Sequence, residues 1–138
     1  MPEGLSLIEF SEDLAEAEAP SPLPAGIYPA SIVNAEQRIS QTSGNRYLSV
    51  QFRIEADSYP PDFTDGDPDG MMLTYNRVLL EDNKAARYRL RKFLEAIGGP
   101  LSRSLDPSDL AGLTANVDVG EETYEGEKRN AIKRVMSV

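Results

Sequence analysis

The sequence predicts a mainly β domain: a five-stranded Greek-key barrel with one helix between strands three and four, behind an acidic N-terminal extension. Three observations predict it. Short alternating apolar runs, punctuated by Gly, Pro, Asn and Asp, recur through residues 25–138. One segment alone, between Asn83 and Gly98, repeats its apolar residues at helical spacing. The first 24 residues carry six acids and no Lys or Arg, then run into Ala-Pro-Ser-Pro-Leu-Pro at 19–24. A chain of 138 residues, 40% apolar and 27% charged, suits a single core.

The extension, 1–24, mixes Leu5, Leu7, Ile8, Phe10 and Leu14 with acids, and a short helix over 6–18 is expected to be marginal by itself. The domain, 25–138, is expected to start near Ala25-Gly26. Ile27 to about Glu36 reads as strand one, with Pro29 suited to an unpaired edge. Gln41–Asn45 is a turn. Arg46–Ala56 carries the cleanest alternation: Leu48, Val50, Phe52 and Ile54 on one face, Tyr47, Ser49, Gln51, Arg53 and Glu55 on the other. That pattern is a half-buried antiparallel strand. Residues 57–70, with five Asp, three Pro and two Gly, form a long loop. Met71–Leu80 is strand three, less regular in its alternation. The helix is capped by Asp82 or Asn83 and ended by Gly98-Gly99-Pro100. Thr114–Glu122 and Lys128–Val135 form a terminal hairpin around Glu125-Gly126.

Strand, strand, strand, helix, strand, strand is the order of an OB-fold. Five strands are too few for an immunoglobulin-like sandwich, and the missing crossover helices exclude a doubly wound sheet. Three passages then carry a resemblance. They are Leu23-Pro-Ala-Gly-Ile-Tyr28, the Ser-Gly-Asn turn into Tyr47-Leu-Ser-Val-Gln-Phe-Arg-Ile54, and Tyr124-Glu-Gly-Glu-Lys-Arg-Asn130. Over residues 23–138 the chain resembles phage-encoded single-stranded-DNA-binding proteins of the OB-fold type. The resemblance implies a place in phage DNA replication or recombination, in the host cytoplasm. It departs from many such proteins in lacking Trp and in ending on basic and apolar residues, Ala131–Val138, where they carry an acidic tail.

Composition narrows the chemistry. With no Cys and no His, there are no thiolates, no imidazole bases and no Cys or His metal ligands. The expectation is a soluble binder, not an enzyme, with no cofactor and no membrane segment. Net charge is −9, but the tail and the run Asp57, Asp62, Asp65, Asp67 and Asp69 hold 11 of the 23 acids. The remainder is mildly basic. Single strands are bound by stacking on aromatics and by cations on phosphates. Strand two offers Tyr47, Gln51 and Arg53, flanked by Arg38 and Arg46, and strand three adds Tyr75 and Arg77. Lys128 and Arg129 in the last hairpin can join them. The helix carries Lys84, Arg87, Arg89, Arg91 and Lys92 around Tyr88, a face that could meet phosphates or receive the acidic tail. Asp65-Gly-Asp67-Pro-Asp69-Gly70 fills positions one, three, five and six of a calcium loop, but Asn76 stands where the bidentate Glu belongs, and a solvated turn explains the run. The expected partners are single-stranded DNA, a replication or recombination protein through the acidic segment, and further copies of the chain. The competing readings are an acidic nucleic-acid mimic that occupies a basic partner, and a small structural virion protein.

Overall fold

Alternation in the second strand sets the plan of the molecule. The computed structural model describes residues 8–17 and 21–138. Its strands are β1 (Gly26–Ile39), β2 (Arg46–Ile54), β3 (Met71–Leu79), β4 (Thr114–Tyr124) and β5 (Glu127–Met136), with one helix, α1 (Lys84–Ile97). In β2, Leu48, Val50, Phe52 and Ile54 are all fully buried. Val117 and Val119 from β4 and Ile132 from β5 meet them across the core. The fold is thus mainly β, a five-stranded antiparallel sheet with one helix, in the order β3-β2-β1-β4-β5.

β1 belongs to both halves of the sheet. Gly26–Ser31 pair with β4, and Ser31–Ile39 pair with β2. A bulge at Val33 follows the handover and bends the strand. Pro29 lies in the first half, before β2 begins, so its missing N–H costs no ladder bond on that side.

The sheet does not close into the expected barrel. Among the described residues no ladder joins β3 to β5, although the two strands lie against each other and α1 packs on both. Tyr75 of β3 turns inward and stacks on Phe93 of α1. Asn83 caps α1 by accepting the Ala86 N–H at 2.9 Å. Gly98, with φ of 73°, takes the left-handed conformation that ends it. The hairpin turns through Glu125 and Gly126, both at positive φ.

Two segments depart from expectation. The core starts at Leu23, ahead of Ala25, because Asn130 of β5 clamps its backbone. The amide oxygen of Asn130 accepts the Leu23 N–H at 2.7 Å, and its amide nitrogen donates to the Leu23 carbonyl at 2.9 Å. The 57–70 loop is not merely solvated. Tyr59 and Phe63 meet edge to face, 5.5 Å between centroids, against the core, and a side chain at Gly66 would press into both rings. Burial, and then Asp67, raise the Tyr59 phenol above the ordinary tyrosine range. In that loop Asp65 accepts the Ser21 hydroxyl and Asp67 accepts the Asp69 N–H. Among the described residues no three acidic side chains converge as a metal would require.

Of the helix expected over 6–18, the described part holds one 3-10 turn, Leu14–Glu16; residues 1–7 and 18–20 lie outside the described residues. Among the described residues no helix is long and apolar enough to cross a membrane.

Candidate nucleic-acid interface

Cross-strand partners point to the same side of a sheet, so the register assigns each candidate residue a face. Arg38 of β1 pairs with Tyr47 of β2, which pairs with Leu79 of β3. Next along the outer face come Glu36 and Ser49, then Asn34, Gln51 and Thr74, then Ser31, Arg53 and Met72. Tyr47, Gln51 and Arg53 therefore lie in one line with Arg38 beside them, as the alternation predicts.

Tyr47 borders an open cleft of about 680 Å³, shared with Arg38, Ile39, Ser43, Asn76 and Leu79. The phenol ring thus stands beside a guanidinium over a hollow. Arg38 donates from Nε to Glu36 Oε1 at 2.6 Å, and this hydrogen bond holds its ionisation even above the ordinary arginine range. The pair is exposed, so a phosphate can replace Glu36 at small cost. Arg53 is more committed. Its guanidinium donates to the Asp69 carbonyl and lies 3.6 Å from Glu55. Its Nε is buried with no hydrogen-bond partner among the described residues. Gly70, at φ of 99°, brings the loop backbone close to that nitrogen.

Two expected members of the set lie elsewhere. Tyr75 is not outward. It pairs with the buried Val50 and lies 5.9 Å from the Phe93 ring at an interplanar angle of 16°. The reason is a bulge: Leu48 pairs with Val78 and Val50 with Tyr75, so β3 holds one residue more than β2 over that stretch. Arg46 is also displaced, since it shares its side of β2 with Leu48. It reaches the Gln37 side chain and the Leu80 carbonyl, both at 3.3 Å, away from Tyr47.

Arg77 is exposed on the same bulge and faces Arg129 across a cleft of about 360 Å³ between β3 and β5. Arg129 donates to Glu122 at 3.0 Å and covers the Tyr124 ring at 4.3 Å. Lys128 is exposed at the end of the hairpin, opposite Thr123. Asn76, Ile39, Leu79 and the turn residues Ser40, Gln41, Ser43 and Asn45 are the cleft residues that sequence reasoning missed. The broken alternation at Asn76-Arg77 is the signal that could have found the first. On α1, Arg87 pairs with Asp82 at 2.5 Å, Arg91 with Glu95 at 2.7 Å, and Lys92 lies over Tyr88. Much of the helix's basic charge is answered by its own neighbours. The outer face offers one half-buried aromatic ring, a line of polar groups and several cations, which is equipment for binding.

A family described as a protein of unknown function, DUF669, matches residues 10–137. The chain belongs to the DUF669 family. The matched span takes in all five strands, α1 and both basic clefts, so the DUF669 region is the whole folded domain. A comparison with curated proteins finds no match.

Proposed function

We propose that this DUF669 protein binds single-stranded DNA without catalysis and with little regard to sequence, in phage DNA replication or recombination. The observation that carries the reading is the outer face of β1, β2 and β3. There Tyr47 stands beside Arg38 over an open cleft, with Gln51 and Arg53 in line. A ring for stacking and guanidiniums for phosphates are what a sequence-tolerant single-strand site requires. Arg77, Arg129 and Lys128 extend the cationic track toward the β3–β5 seam.

The strand order supports an OB-type chain left open between β3 and β5, since such folds are partly open Greek-key barrels that bind oligomers on the strand two and three face. On this reading the residues ahead of Leu23 are an acidic extension that meets a protein partner, and the site of action is the host cytoplasm.

Fluorescence anisotropy with labelled oligo-dT at two salt concentrations tests the proposal. If about three phosphates are neutralised, log K should fall against log salt with a slope of about −2. Duplex of equal length should bind more weakly, because its bases are not free to stack. Equal or tighter duplex binding would sink the reading. No binding at low salt would leave the acidic mimic, which the net charge of −9 favours.

A further inference from the structure

A cleft of about 650 Å³ opens away from Tyr47, between the adjoining ends of β1 and β2, α1 and the 100–107 loop. Its apolar lining includes Leu80, Leu90 and Leu94, and its rim holds Arg46, Arg87, Arg91 and Arg103 against Glu81 and Asp82. Arg46 and Arg103 make no ion pair among the described residues. An apolar floor under a surplus of arginines suits a ligand that is both apolar and acidic.

One segment of this chain has that chemistry. In residues 8–17, Ile8, Phe10 and Leu14 are 76%, 61% and 67% exposed. Glu9, Glu12 and Asp13 stand between them and Glu16 follows, with no base before Arg38. Phe10, Leu14 and Ala17 recur at helical spacing and would share one face.

The segment's root is held far from the cleft. Ser21 donates its backbone N–H to the Asp65 carbonyl at 3.0 Å, and Asn130 clamps Leu23. From Gly26, beside that anchor, to Gln37 at the cleft, β1 covers about 36 Å along the strand. Ser21 to Phe10 is the same number of residues, so within one chain the segment would arrive with little slack and no helical face.

We propose that the cleft receives the acidic N-terminal segment of a second copy of this chain. Phe10 and Leu14 rest on the leucines, and Glu9, Glu12, Asp13 and Glu16 face the arginines. The contact is head to tail, joining two different surfaces, so it adds copies in a row or closes them into a ring. It does not depend on the DNA-binding reading.

Sedimentation velocity on the full chain tests it. The expected result is species that grow past dimers as concentration rises and shrink as salt rises. Two double variants, Phe10→Asp with Leu14→Asp and Arg46→Glu with Arg103→Glu, should each be monomeric with an unchanged circular dichroism spectrum. Mixed in equal amounts, they should form dimers and stop there, because one supplies an intact segment and the other an intact cleft. Arg103→Glu alone, in an exposed loop, should weaken association severalfold, and it serves if the double change costs the fold. A wild-type chain that stays monomeric at every concentration overturns the proposal, as does association that survives in both variants or a mixture that forms no dimer.

Discussion

Along β2, Leu48, Val50, Phe52 and Ile54 are buried while Tyr47, Ser49, Gln51 and Arg53 face out in unbroken order. Beside it, β3 buries Val78, turns Tyr75 inward, and shows both Asn76 and Arg77 to the outside. The difference is one extra residue in β3. It gives two neighbouring strands, each with a tyrosine and an arginine, different uses for the same side chains. Tyr47 is surface and Tyr75 is packing, because the bulge shifts the phase of everything before it relative to Val78.

That contrast can be broken by substitution, beginning where the effect is largest. Phe52→Ala, on the buried side of β2, should cost about 3–5 kcal/mol in urea unfolding. Tyr75→Ala should cost roughly 2–3 kcal/mol by losing its packing on Phe93, and Tyr75→Phe should recover most of it. Tyr47→Ala should leave stability within about 0.5 kcal/mol yet weaken oligo-dT binding by roughly 5- to 150-fold. If Tyr75→Ala is silent in unfolding and severe in binding, the assignment of the two faces is reversed. Arg53→Ala should flatten the salt slope by about 0.7, with little other change in binding. A value near zero would mean that the Asp69 carbonyl keeps this guanidinium from DNA.

The smallest effect concerns the β2–β3 connection. Burial raises the Tyr59 phenol, so the folded state holds its proton longer than the unfolded chain does. The stability this contributes is complete below the unfolded pKa of about 10 and is lost as pH rises through the folded value. Tyr59→Phe should therefore flatten the alkaline fall in stability without abolishing it, because Tyr28 is shifted the same way. An unchanged alkaline limb would count against that role.

The parts legible in the sequence are those that local chemistry decides. Strict alternation names both faces of β2, helical spacing with Asn83 and Gly98 bounds α1, and Glu125-Gly126 marks the hairpin. The parts that escape are decided across strands or at long range. Nothing near Tyr75 says which side it takes, because its side depends on the partner it meets in β2. Leu23, in a proline-rich stretch, looks like a linker until Asn130 is placed beside it. The 57–70 run reads as acid and turn, yet Tyr59 and Phe63 make it a packed element around Gly66. For the candidate site, Tyr47, Gln51 and Arg53 follow from alternation, and Arg38 from its place beside the turn. The meeting of Arg77 with Arg129 needs the three-dimensional approach of β3 to β5.

The clamp on Leu23 has a consequence for how the molecule is made. Ribosomes deliver residue 23 early and Asn130 only 107 positions later. Until β5 emerges, the nascent chain can hold β1 to β4 and α1 while the docking place for Leu23 does not yet exist. The core can be sealed only once β5 has left the ribosome, when both amide hydrogen bonds form together. Stalled or prematurely terminated products should carry this leucine uncovered, a mark by which proteolysis can sort unfinished chains from complete ones.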